Sequence, residues 1–151
     1  MSETRDRLYE HVTGARDHLE RLFRIITEPA VDDIAWLKDE GANVDDITAE
    51  VAALDDPDDI DEVTLGRISD LAYEFLGGDI LDVTIHGERS AFSHDYTADW
   101  TVTGLVILLT CGGPHIELNT RTRTFDGWWG GAEVKVSADS DLCDWAEGMW
   151  I

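Results

Sequence analysis

Apolar residues recur at helical spacing in the first half of the chain and at strand spacing in the second. Leu8, Val12, Ala15, Leu19, Leu22 and Ile26 alternate steps of four and three, which predicts an amphipathic helix over residues 3–27 with a heptad seam. Gly14 weakens it by up to ~1 kcal/mol relative to Ala, and Pro29 ends it. Three heptads need a partner. The seam can pack on the helices that follow or on a twin copy in a homodimer. A short helix follows over 31–40, with Ile34 and Leu37 inward and Gly41 as its stop. Asn43 or Asp45 can cap another over 44–54, where Val44, Ile47, Val51 and Leu54 share a face. Pro57 breaks that helix. Asp59 and Glu62 have the spacing of a capping box for the next, which buries Ile60, Ile68, Leu71, Ala72 and Phe75 and stops at Gly77-Gly78.

From residue 80 the period falls to two. In LDVTIH, Leu81, Val83 and Ile85 share one face. DWTVTGLVILLTC turns apolar on both faces from Gly104, as a central strand does. The GGP turn at 112–114 leads to a return strand, HIELNT, at 115–120. FDGWW and EVKV supply one or two more strands around Gly130-Gly131. SDLCDWAEGMW closes the chain as a short helix with Leu142, Trp145, Ala146 and Met149 inward. The expected class is α+β: an acidic helical region over 1–78, then a twisted antiparallel sheet of 4–5 strands with a short C-terminal helix over 79–151, together one compact unit.

Charge changes the picture more than any motif. Among 151 residues, 33 acids face 11 bases, a formal charge of −22. Such a field repels nucleic acid and anionic membranes and attracts basic protein surfaces, most of which exist to hold DNA or RNA. Acidity with many Asp and only two Lys, Lys38 and Lys135, is also expected of a halophilic or GC-rich host, where it would serve solubility and name no partner. That adaptation spreads over a surface. Here residues 28–62 hold fourteen acids and one base, whereas 63–125 hold eight acids and four bases. Clustering favours a patch with a purpose, and its candidate partner-binding residues are Asp32, Asp33, Asp39, Glu40, Asp45, Asp46, Asp55, Asp56, Asp58 and Asp61.

The densest stretch, LDDPDDIDE at 54–62, does not read as a calcium loop. Such a loop needs oxygen ligands at positions 1, 3 and 5 and Gly at 6. Counted from Asp56, position 5 is Ile60 and position 6 is Asp61; counted from Asp59, position 5 is Val63. Asp59 and Glu62 have capping to do. Asp55, Asp56, Asp58 and Asp61 have no such local duty.

Catalytic and metal chemistry is weakly signalled. Cys111 and His115 flank a tight turn, but a cysteine closing an apolar strand is more often a buried, inert thiol. Cys111, His115 and Cys143 lack a zinc spacing. GGP precedes a strand rather than a helix, so it is no phosphate cradle. His11 and His18 read as solvent-facing. Trp128, Trp129, Trp100, Trp145 and Trp150 read as core between sheet and helix, with a ligand cleft as the other use. No catalytic residue, metal site or cofactor is assigned. No run of about 18 apolar residues occurs, the N-terminus has no secretory core, and reduced thiols in a cytoplasm are the expected state.

The succession LDVTIHG, LVILLTCGGPHIEL, GWWGG and EVKV before a short closing helix resembles a group of small acidic proteins carried by bacterial phages and integrative elements. The likeness covers roughly residues 80–150 and rests mainly on LLTCGGP. It implies a setting in which small acidic proteins inhibit host defence, including anti-restriction and anti-CRISPR proteins that imitate DNA. Their partner would be a basic nucleic-acid-binding protein.

Overall fold

The computed structural model describes residues 3–56, 59–88 and 101–151; Pro57, Asp58, His94 and Trp100 lie outside the described residues. Among the described residues the order is α1 (Glu3–Thr27), α2 (Asp33–Asp39), α3 (Asp45–Ala52), α4 (Glu62–Asp79), β1 (Asp82–Glu88), β2 (Thr101–Thr110), β3 (His115–Asn119), β4 (Thr124–Trp129), β5 (Ala132–Ser137) and α5 (Ser140–Trp150). The fold is α+β. It divides into two compact units, Met1–Asp17 with Ile80–Ile151 and His18–Asp79, so α1 contributes to both.

In the sheet unit the strands follow chain order, β1-β2-β3-β4-β5, each antiparallel to the next. One face carries Leu105, Ile107, Ile116, Leu118, Phe125, Val134 and Val136, all buried. Leu8 and Val12 of α1 and Leu142, Cys143 and Ala146 of α5 complete that core. Gly127 lets α1 approach: a Cβ there would lie 2.4 Å from Val12 Cγ2 and 3.1 Å from Leu8 Cδ1. The β4–β5 hairpin turns on Gly130 and Gly131, with φ of 55° and 85°. A two-residue loop with both φ positive matches the right-handed strand twist, and Gly adopts it without a Cβ clash. Arg123 also has positive φ, 57°. Its guanidinium donates to Ser140 O at 3.0 Å and Asp144 Oδ1 at 2.7 Å, which ties the β3–β4 turn to α5.

The helical unit is built around Leu19, Leu22 and Ile25 of α1, with Ile34, Leu37, Val44, Ile47, Ile68, Ala72 and Leu76. Gly41, at φ 101°, stops the turn after α2 as expected. Ser69 Oγ donates to Ile26 O at 2.7 Å, joining α4 to the end of α1.

Several expectations change. The α1 seam is buried within the chain, with Leu8, Val12 and Leu22 at 0% and Leu19 at 2% exposure. Ile25, rather than Ile26, is its last fully buried member. Helix α4 passes through Gly77-Gly78 to Asp79, whose carboxylate accepts from His18 Nε2 at 2.7 Å. His18 is therefore half-buried rather than solvent-facing. Leu81, just before β1, and Ile85 within it are exposed. Trp128, Trp129, Trp145 and Trp150 are half-buried rather than core. Cys111, expected as a buried thiol, is exposed, and Cys143 is buried.

Candidate functional site

Residues 18–79 hold eighteen acids against Arg21, Arg24, Lys38 and Arg67, a formal −14; the rest of the chain holds fifteen acids and seven bases, −8. Helix faces explain why most of these carboxylates reach water. On α2 the apolar Ile34 and Leu37 turn inward, and on α3 Ile47 does. Asp32, Asp39, Glu40, Asp45, Asp46, Asp55 and Asp56 are exposed.

Asp33 departs from that set. It is 1% exposed and accepts from Arg21 Nη2 at 3.0 Å, from Arg24 Nη2, and from its own helix start through Ala30 N at 2.8 Å. A buried carboxylate needs such partners, because an unpaired one would ionise only at large cost. Asp33 is thus an internal strut, not part of an exposed strip. Arg21 also lies over Trp36, 5.6 Å from the ring centroid.

Asp61 remains exposed but has a local duty. Its Oδ1 accepts from Thr64 N at 2.8 Å, and that hydrogen bond holds its carboxyl below the usual 3.8. Helix α4 begins at Glu62, so Asp61 rather than Asp59 is placed to cap it. Asp59 instead follows a turn, with its N–H donating to Asp56 O at 2.9 Å. Glu40 faces His18 Nδ1 at 3.7 Å, and Glu50 pairs with Arg67. Asp58 lies outside the described residues.

The sequence reading ended the acidic patch at 62 and missed Asp70 and Glu74. Both are exposed on α4, four apart and opposite its buried Ile68, Ala72 and Leu76. That i,i+4 spacing was the available signal. With Asn43, Asp46, Arg67 and the apolar Ile47 and Leu71 they border a groove of about 300 Å³ between α3 and α4.

In the sheet unit a second concavity of about 340 Å³ is lined by Gly112, His115, Trp128, Trp129, Glu133 and the hairpin glycines. Ladder register sets His115, Trp128 and Glu133 side by side across β3, β4 and β5, and sets Glu117, Asp126 and Lys135 in the next row on the same face. Asp126 is 2% exposed; it accepts from Thr124 Oγ1 at 2.7 Å and faces Lys135 Nζ at 3.5 Å.

His115 Nε2 lies 3.1 Å from Glu117 Oε2, a carboxylate partner on its own strand. Burial pushes the Cys143 thiol up to about 11, which leaves it poorly nucleophilic. Among the described residues no group of three or more His, Cys, Asp or Glu could hold a metal ion, and no helix is long and apolar enough to cross a membrane. No family model matches the chain, and no curated protein or solved structure matches it significantly.

Proposed function

We propose that this chain is a non-enzymatic inhibitor of a host defence complex that targets nucleic acid, a CRISPR effector or a restriction enzyme. It would act in the host cytoplasm as a DNA mimic, placing the exposed carboxylates of residues 32–61 in the groove that otherwise holds the nucleic acid. Duplex DNA offers one charge per about 1.7 Å of axis, and its binders are shaped and charged to meet that density. The exposed carboxylates on the outer faces and ends of short helices would supply the negative charge that such a groove is built to meet.

One observation carries the reading. Arg21 and Arg24 are spent on Asp33, and Arg67 on Glu50. Among the described residues of the unit these three of its four bases are paired with carboxylates, and the unit's sequence carries sixteen acids besides Asp33 and Glu50. General adaptation to salt would favour interspersed charge over the whole chain rather than −14 on 62 residues and −8 on the other 89.

The test is binding of the full chain to a purified effector or restriction enzyme at about 50 and about 200 mM salt. Exposed charges are screened beyond a Debye length of about 8 Å at physiological ionic strength, so affinity falls steeply with salt if the carboxylates meet Lys and Arg. Affinity unchanged between the two conditions sinks the electrostatic reading and leaves an acidic structural or adaptor protein in its place.

A further inference from the structure

The acidic helices are not the only surface with a chemical character. The cleft of the sheet unit is built at the end of the β4–β5 hairpin. Two features keep it open. Gly130 and Gly131 add no side chains at its lip, and Gly113 lets the β2–β3 turn sit over Trp129, where a Cβ would come within 3.1 Å of the indole Nε1. The Trp128 ring occupies the centre of a three-residue row. His115 meets it edge-on at a centroid distance of 5.3 Å, and Glu133 stands opposite it on β5.

The surrounding charge decides what can enter. Glu133, Glu117 and Asp126 contribute three carboxylates against the single ammonium of Lys135. Lys135 is already divided between Asp126 at 3.5 Å and Glu133 at 3.6 Å. An anion is repelled here. A wholly apolar ligand would have to desolvate the half-exposed Glu133 without returning a hydrogen bond, which is unfavourable. A planar cation satisfies both elements at once: its face stacks on the indole, the best of the aromatic rings for this purpose, and its N–H donors fork onto a carboxylate. The protein already makes the first half of that arrangement in its other unit, with Arg21 over Trp36.

We propose that the Trp128 cleft is a binding site for a guanidinium group, the side chain of an arginine on a basic partner protein. It is carried by the sheet unit and does not rest on the acidic strip of residues 32–61. Trp128 is the platform, Glu133 the charge partner at the rim, and Glu117 with Asp126 the background field.

The experiment follows the indole N–H resonances of the ¹⁵N-labelled full chain during titration with N-acetyl-arginine methylamide, and in parallel with its neutral citrulline counterpart. Trp128 and Trp129 are assigned through W128F and W129F. The expected result is a saturable shift at Trp128 with the arginine compound and none with the citrulline compound. W128A and, separately, E133Q should each weaken that binding about 2- to 5-fold, the range of an exposed cation–π contact. Glu133 is half-exposed, so E133Q reports even if W128A does not fold. Equal shifts from the citrulline compound, or shifts confined to residues 18–79, would overturn the assignment; the second outcome would send the guanidinium to the acidic helices and leave the proposed mimicry standing.

Discussion

The two units use charge in opposite ways. In the sheet unit charged residues tie parts together: Arg123 links a turn to α5 through Asp144, and Lys135 stands over the buried Asp126. Its stability resides in a meander whose buried face is filled from both ends of the chain, by α1 and by α5. In the helical unit Arg21 and Arg24 are held by the buried Asp33, and most of the acids are left facing solvent. The lesson concerns cost. Like charges crowded on one surface lower stability, so a fold that carries them must hold itself together elsewhere, here by apolar helix faces and one doubly clamped carboxylate.

The contrast can be broken most severely at that clamp. Asp33→Ala leaves the half-exposed Arg21 and Arg24 and the Ala30 N–H without their shared acceptor and should cost about 1.5–3 kcal/mol, read by chemical denaturation. Its sequence neighbour Asp32→Ala, an exposed site, should stay within about 0.5 kcal/mol. Equal effects at the two positions would remove the distinction between strut and strip.

The sheet unit's counterpart is Gly127→Ala. The added methyl meets Val12 and Leu8, and overpacking of this kind costs about 1–3 kcal/mol. Hydrogen exchange should show the loss first in β4 and the start of α1. Unchanged protection there would mean that α1 is not seated on β4 as described.

The thiols sharpen the contrast between a buried core and an open turn. Cys143 rises from an ordinary 9.0 to about 11. A raised acid pKa contributes stability that is intact below pH 9 and is lost as pH climbs through about 11. Iodoacetamide at pH 8 should therefore modify Cys111 quickly and Cys143 only on unfolding. Comparable rates at both cysteines would contradict the burial.

The smallest effect concerns the start of α4. The lowered pKa of Asp61 means that its contribution is present above pH 3.8 and is lost as pH falls through its lower folded value. Asp61→Ala should fray the first turn of α4, visible as faster amide exchange at Thr64, whereas Asp59→Ala should leave that amide unchanged.

Much of the fold was legible in the sequence, because periodicity reports burial directly. The shifts from 3.6 to 2 placed the helices and strands, and Gly130-Gly131 marked a turn between FDGWW and EVKV. What failed needed the third dimension. Asp32 and Asp33 are the same residue type one position apart, and only the approach of Arg21 and Arg24 from α1 distinguishes them. Gly77-Gly78 read as a stop, yet Gly costs only about 1 kcal/mol in a helix and the Asp79–His18 contact lies beyond the pair. Capping was misplaced by two residues because Asp59 and Asp61 both precede plausible helix starts. The tryptophans were read as core, whereas a hairpin with alternating faces sends Trp128 and Trp129 to opposite sides next to its turn. The acidic patch was visible as composition, but its continuation through Asp70 and Glu74 required knowing which face of α4 is buried.

The central claim is that the exposed carboxylates of the helical unit occupy a nucleic-acid groove. It is tested most directly by displacement of a fluorescent duplex from a purified restriction enzyme or CRISPR effector, using the wild-type chain and a variant with Asp32, Asp39, Asp45, Asp46 and Asp55 changed to Asn. The account predicts that the wild type releases the duplex competitively, and that its potency falls at least about tenfold between 50 and 200 mM salt. The variant should fold as well as the wild type or slightly better and lose several kcal/mol of binding, since charged partners at a partly desolvated interface are commonly worth about 2–5 kcal/mol. A folded variant that displaces the duplex at full strength would contradict it.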